Sequence, residues 1–284
     1  MEVAVMNVLI LGSGRVGTAF GYILRKKGYR ILGVYNRHRE TGLRALERIG
    51  EGTVYDRESL PAAVPVADLI IITTPDRVIK ETAGLAGSGG PHSDAYLMHM
   101  SGLLDSEILK IPGWEGGVFS FHPLQAIAGF TEGIKLLPEA LFTIEGNEKG
   151  ERFAGELARS LGLKYLVIKK EYKPLYHAAA VIASNYLVTL VGNSFRLLRK
   201  AGMDREEVRK GLLRLVKGTL ENLEQMAPDE ALTGPIARGD LETIGKHRQA
   251  LTDYAPELGE LYRLLGWYTA EMINNEEIKQ YFES

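Results

Sequence analysis

The chain has 284 residues, of which 45% are hydrophobic and 25% charged, with a formal net charge of −2. This balance is that of a globular protein, and it gives no general attraction to nucleic acid or to an anionic membrane surface. No cysteine is present, which excludes disulfides, thiolate catalysis and thiolate metal sites.

The N-terminal run M-E-V-A-V-M-N-V-L-I lacks a basic leader and a cleavage site, so it reads as the approach to a first strand and the expected location is cytoplasmic. Val8–Leu11 predicts a buried strand, Thr18–Lys27 a helix stopped by Gly28, and Ile31–Tyr35 a second strand. Thr41–Ile49 predicts a second helix stopped by Gly50. Further strands are expected at Asp68–Thr73, Tyr96–Met100 and Val118–Phe121. Weaker ones at Leu141–Ile144 and Tyr165–Ile168 flank a helix over Glu148–Leu161. Apolar strands alternating with helices predict a doubly wound, mainly parallel sheet covered on both faces.

After Lys170 the strand pattern ends. One long helix is expected over Tyr176–Lys200, another with Asp204 as its N-cap and Glu206 and Glu207 in its first turn, and two more starting at Asp240 and Glu257. The expected organisation is therefore an α/β domain over 1–170 and an all-α domain over 171–284. The apolar segment Ala178–Val191 is shorter than a bilayer span and carries Ser184, Asn185 and Thr189, so it reads as a buried helix rather than a membrane segment.

The chemistry begins at G-S-G-R-V-G, Gly12–Gly17, directly between a strand and a helix. Gly12 permits the tight turn, Gly14 lets the backbone approach a pyrophosphate, and Gly17 lets helix pack on strand. Ser13, Arg15 and Val16 complete the loop, whose helix N-terminus offers free N–H groups to an anion. In such units an acidic residue ordinarily ends the second strand and holds the ribose. Here Asn36 stands there, followed by Arg37, His38 and Arg39. Asn36 can still hydrogen-bond a ribose oxygen, while Arg37 and Arg39 can offer forked donors to a 2′-phosphate, so the expected cofactor is NADP(H). Thr73, Thr74 and Pro75 end the next inner strand and are placed to line the same ligand.

V-L-I-L-G-S-G-R-V-G, N-R and I-I-I-T-T-P-D together resemble the N-terminal domain of the 6-phosphogluconate dehydrogenase-like superfamily, which includes pyrroline-5-carboxylate reductases. F-H-P-L-Q at Phe121–Gln125, H-A-A-A-V-I-A-S-N at His177–Asn185 and L-T-G-P-I-A-R-G-D at Leu232–Asp240 are similar to the bacterial family that joins a Rossmann-like domain to the domain of unknown function 2520. The resemblance implies an NADP-linked oxidoreductase fold with a homodimer formed through the helical domain. The hydroxyacid dehydrogenases of that superfamily carry a Lys, with an Asn one turn later, on the first long helix. Here Asn185 has Val181 one turn before it and His177 two turns before it, and no Lys sits on that face, so a lysine-based alcohol oxidation is not expected, whereas the imine-reducing relatives do not need that Lys.

His122, before Pro123 at a strand end, is either a substrate-binding or proton-donating residue or a hydrogen-bonded part of a structural turn. His177, Val181, Ser184 and Asn185 share a helical face and are expected to line a cleft between the domains. His122, His177 and Asn185 are thus the catalytic candidates, with Gln125, Ser184, Thr233 and Arg238 as substrate-binding ones. Thr243 and His247 are expected on the same pocket, and Asp240 as an N-cap. The six histidines, His92 among them, show no metal-ligand spacing, and Ser101 has no nucleophile elbow around it. The leading expectation is hydride transfer to or from a small C=O or C=N substrate. The alternatives are a non-catalytic NADP(H) sensor and a structural helical dimer.

Overall fold

The computed structural model describes residues 5–87 and 95–283. Met1–Ala4, His92 and Ser284 lie outside them. The chain forms two compact units, Met1–Ser184 and Asn185–Ser284.

The first unit runs β1 (Asn7–Leu11), α1 (Arg15–Lys26), β2 (Arg30–Tyr35), α2 (Arg39–Ile49), β3 (Thr53–Tyr55), α3 (Leu60–Ala63), β4 (Leu69–Ile72), α4 (Asp76–Gly87), β5 (Tyr96–His99), β6 (Val118–Pro123), α5 (Phe130–Leu136), β7 (Leu141–Gly146), α6 (Glu148–Leu161), β8 (Lys164–Val167) and α7 (Lys173–Val181). The strands form one eight-stranded sheet in the order β3-β2-β1-β4-β5-β6-β7-β8. Every pairing is parallel except β6 with β7. Both faces are buried. Val8 and Ile10 of β1, with Leu69 and Ile71 of β4, enter one core, while Leu9, Leu11, Ile70 and Ile72 enter another on the opposite face. Four consecutive buried apolar residues in each strand are what a sheet covered on both sides requires. The order reverses between β1 and β4, and the crevice beyond the carboxyl ends of those two strands is where ligands of open α/β sheets sit.

The second unit holds α8 (Leu187–Lys200), α9 (Glu206–Leu223), α10 (Pro228–Ala231), α11 (Leu241–Tyr254), α12 (Gly259–Met272) and α13 (Glu276–Glu283). Its core gathers Ile244, Ala270, Ile278 and Phe282. No residue of α8 or α9 is buried within the chain.

Several local expectations need correction. The first long helix begins at Lys173, not Tyr176. Pro174 lies in its opening turn, where the missing N–H would be unbonded in any case. That helical run is also interrupted: Ile182–Tyr186 is a π-turn, which carries Ser184 and Asn185 and in which the two units divide. The wider turn moves Asn185 off the straight α-helical phase set by His177. Arg205, not Asp204, occupies the N-cap of α9, although Glu206 and Glu207 do lie in its first turn. Glu257 sits in a short 3₁₀ turn preceding α12, and Asn274, with φ of 54°, separates α12 from α13. Asp240 caps α11 as expected, its side chain accepting from the Thr243 N–H.

Candidate functional site

Gly12 leaves β1 at φ +91°, and a Cβ there would lie 2.6 Å from Thr74 Cγ2. A Cβ on Gly17 would overlap Thr73 Oγ1, whose hydroxyl donates to the Gly12 carbonyl. The two glycines thus allow the loop and α1 to close against the end of β4. Gly14 differs: no atom lies within 4 Å of its Cβ direction, so its backbone faces open space, as a backbone that cradles a pyrophosphate must. Ser13, Arg15 and Val16 lie around it, Ser13 buried and Arg15 exposed as the first residue of α1.

Asn36, just past β2, grips this loop. Its Oδ1 accepts from the Ser13 N–H at 2.6 Å, and its Nδ2 donates to Ser13 Oγ at 2.8 Å. The amide expected to serve a ribose is therefore used first to fix the glycine loop. A cavity of about 590 Å³ opens beside it, walled by Gly12, Gly14, Asn36, Arg37, Thr74 and Pro75 among others. Thr73 also lines it. Arg39 does not. It opens α2, and its charge instead helps hold the Asp56 carboxyl below its ordinary value, behind the larger effect of the Ser59 hydrogen bonds. Two arginines that the sequence pattern did not single out, Arg57 and Arg77, reach the cavity, and Glu81 is the acid among its lining residues.

A second cluster lies at the carboxyl end of β6. The strand alternates: Phe119 and Phe121 enter the aromatic core, with Phe121 stacked on Phe142 at 4.5 Å, so Ser120 and His122 face the other way. Against that face α7 presents Lys173, Tyr176 and His177, at i, i+3 and i+4. His122 Nδ1 lies 2.7 Å from the Tyr176 hydroxyl. The His122 and His177 rings stand 6.3 Å apart between centroids. Both pack on Gly102, where a Cβ would lie 2.9 Å from His122 Nε2 and 3.1 Å from His177 Cδ2.

Lys173 is a further residue on the His177 face, while Asn185 still has Val181 rather than a lysine four residues before it. Lys173 lies one turn before His177, is fully buried, and donates to Ser120 Oγ at 2.7 Å and to the Ser101 carbonyl at 3.3 Å. Burial pushes its ammonium down to about 8, against the pull of Glu145, Asp105 and Asp76. Ser101 continues the network, its hydroxyl donating to Asp76 Oδ2 at 2.8 Å at the start of α4. Burial, and then the charges of Lys173 and His177, push His122 down to about 4. Burial pushes the Tyr176 phenol up, with Thr143 acting in the opposite sense. His122 and Tyr176 are thus both neutral near pH 7, which suits a site that polarises or donates a proton from a neutral imidazole. His99, also pushed down to about 4 by burial, accepts from the Ser101 N–H and lies 3.1 Å from the Asp105 carbonyl, pinning the loop that carries Gly102.

The remaining candidates are dispersed. Gln125 is exposed, its amide donating to the Ala126 carbonyl at 3.5 Å. Ser184 and Asn185 lie in the π-turn. Thr233 and Arg238 are exposed residues of the second unit. Thr243 Oγ1 donates to Asp240 Oδ2 at 2.7 Å, and His247 Nδ1 lies 2.9 Å from the Tyr262 hydroxyl, so both side chains serve internal contacts of that unit. The Lys173–Tyr176–His177 spacing was the readable signal for α7, and Pro174 obscured it.

Sheet order, glycine loop and helical second unit define the fold of the 6-phosphogluconate dehydrogenase-like and pyrroline-5-carboxylate reductase-like superfamily. Residues 1–123 match the Rossmann-like domain and residues 140–269 the domain of unknown function 2520, and the chain belongs to the family that joins the two. Among solved structures it is similar to a Bacteroides fragilis protein with an ascribed NADP oxidoreductase activity, at 24% identity and a TM-score of 0.78, covering 94% of this chain and 98% of that one. Protein TM1727 of Thermotoga maritima matches at 27% identity and a TM-score of 0.70, covering 98% and 100%. A reductive aminase from Aspergillus terreus, solved with NADPH and ethyl-5-oxohexanoate, shares the fold at 17% identity and a TM-score of 0.63, covering 98% and 100%. A glycerol-3-phosphate dehydrogenase [NAD(P)+] of Moorella thermoacetica is 32% identical over 90 residues, which span 28% of this chain and 26% of the curated relative's length.

Proposed function

We propose that the protein is an NADP(H)-dependent oxidoreductase acting on a small C=O or C=N substrate. The observation that carries this reading is the cavity beside Gly14, where Arg37 stands and no carboxylate ends β2. A carboxylate there would repel a 2′-phosphate, whereas a guanidinium offers it forked donors. Gly12, Ser13, Gly14 and the N-terminus of α1 would hold the pyrophosphate, and Thr73, Thr74 and Pro75 the ribose on the side toward β5 and β6. A bound nicotinamide supplies or accepts the hydride. The chain's part is to orient and polarise, and we assign that to His122 and His177, with Tyr176 holding His122 in place. Lys173, buried beneath them, sets the local charge. The names of similar structures, an NADP oxidoreductase and a reductive aminase, are in keeping with this chemistry.

We further propose a homodimer formed through the helical unit, because no residue of α8 or α9 is buried within the chain, and a cytoplasmic location for it. The function is tested by titrating purified protein with NADPH and NADH, then screening small ketones, aldehydes and cyclic imines for NADPH oxidation. Equal affinity for the two dinucleotides would sink the cofactor assignment. Tight NADPH binding without turnover of any substrate would favour a sensor.

A further inference from the structure

We infer that Arg57, in the turn after β3, is a second anchor for the 2′-phosphate and a determinant of cofactor choice; this rests on the reading of the cavity as an NADP(H) site. The argument starts from strand register. β2 and β3 pair in parallel with Tyr35 opposite Tyr55. Arg37 and Arg57 each follow that rung by two residues, so the two strands deliver a guanidinium to the same edge from neighbouring positions, spaced by about 4.8 Å between strands. Both line the one cavity.

The turn that carries Arg57 is held from within. Asp56 Oδ1 accepts from the Glu58 N–H at 3.1 Å, the Ser59 N–H at 2.8 Å and the Ser59 hydroxyl at 2.7 Å. The Asp56 N–H donates back to Ser59 Oγ at 3.0 Å. This closed set fixes the backbone on both sides of Arg57 and occupies the Asp56 carboxylate, while the Glu58 carboxylate, on the other side in sequence, makes no ion pair with Arg57. Among the described residues, neither Arg37 nor Arg57 lies within 4.0 Å of a carboxylate oxygen as an ion pair. Two exposed guanidinium groups that line one cavity from adjacent strand ends, neither of them ion-paired among the described residues, can share one anion between them. A 2′-phosphate, near-dianionic and with three acceptor oxygens, can take a fork from each.

The test is calorimetric titration of NADPH and NADH against the wild-type chain and the Arg57→Ala, Arg57→Lys, Arg37→Ala and doubly substituted variants, with folding checked by circular dichroism. Arg57→Ala should weaken NADPH about 10- to 100-fold and leave NADH within about threefold, the range expected for losing charge-assisted hydrogen bonds. Arg57→Lys should fall between, since it keeps the charge and loses the fork. The double substitution should cost less than the sum of the single ones, because both arginines act on one phosphate. An equal loss for both dinucleotides would make Arg57 an adenine contact and overturn the assignment, as would unchanged NADPH affinity. If the wild type prefers NADPH and only Arg37→Ala abolishes the preference, the Arg57 assignment alone fails. If the wild type shows no preference, the NADP(H) reading fails with it.

Discussion

The Tyr176 hydroxyl lies 2.7 Å from Nδ1 of His122, joining the middle of α7 to the end of β6. Burial acts on the two groups in opposite directions, raising the phenol and lowering the imidazole to about 4. The bond is therefore one between neutral groups across the neutral range. In ¹⁵N spectra of selectively labelled protein, His122 should stay neutral from pH 8 down to about pH 5, well below the ordinary histidine value. Tyr176→Phe should change the tautomer balance of that ring while leaving the overall fold intact. An imidazolium signature for His122 at pH 6 would contradict the arrangement.

His122 and His99 also tie folding to pH. Both have folded values near 4 against an unperturbed 6.5, so between those limits the unfolded chain binds protons that the folded chain does not. The sign follows: stability is full above pH 6.5 and declines as pH falls toward 4. For fully buried His99 the loss is on the order of 3 kcal/mol at its full extent. Urea denaturation at pH 7.5 and 5 should show the lower midpoint at pH 5, and His99→Gln should flatten that difference. A midpoint that rises on acidification through this window would refute the account.

Much of this was open to reading in the chain itself, and the parts that were not share a cause. β1, β2, β4 and the glycine loop declare themselves through unbroken apolar runs and a fixed spacing, which are local signals. β3 is only Thr53–Tyr55, too short to show a period. Arg57 gains its meaning from the Tyr35–Tyr55 pairing, and strand register is not written in either segment alone. Asn36 is visible as the residue that replaces an acid, but its bond to Ser13 spans 23 residues and depends on how the loop closes. Lys173 was hidden by Pro174, which reads as a break and acts as a helix start. His122 stood out, yet its partner Tyr176 becomes evident only when α7 is laid across β6.

Asn36 offers a direct reversal of cofactor choice. Asn36→Asp keeps the acceptor for the Ser13 N–H and replaces the Nδ2 donor by an oxygen to which the Ser13 hydroxyl can turn and donate, so the glycine loop should hold its shape. It adds a negative charge beside Arg37, where a 2′-phosphate would lie. NADPH should then bind roughly tenfold or more weakly, and NADH unchanged or tighter. Fluorescence titration of the reduced nicotinamide reads both. A variant that loses both dinucleotides equally would mean that the substitution breaks the loop rather than the charge pattern.

Lys173 separates packing from charge. Its stem fills space between α7 and β6, and its ammonium satisfies Ser120 and the Ser101 carbonyl. Lys173→Met keeps most of the volume and removes a buried charge, a change that costs little when the space stays filled, about 1.5 kcal/mol or less. Lys173→Ala leaves a cavity as well and should cost roughly 2–4 kcal/mol. Chemical denaturation ranks the two. Met should nonetheless raise the His122 value, because one of the charges that depress it is gone. Equal destabilisation by Met and Ala would mean that the ammonium, not the stem, carries the stability.

The uncovered helices set the last expectation. The helical run Lys170–Lys200 is long and apolar enough to cross a membrane by length and composition, with mean hydropathy 1.4 over its most apolar window and nothing in that window buried. Val188 is 72% exposed and Tyr186 57%, and α9 adds Leu215 at 67%. A helix with apolar residues on its open face needs a covering surface, and a second copy of the same face supplies one by twofold symmetry. Light scattering on the purified chain without detergent should give twice the monomer mass, and Val188→Glu should lower the dimer affinity by burying a charge at the contact. A well-behaved monomer at micromolar concentration would remove the dimer, and a chain that stays in solution only with detergent would point to lipid as the covering surface instead.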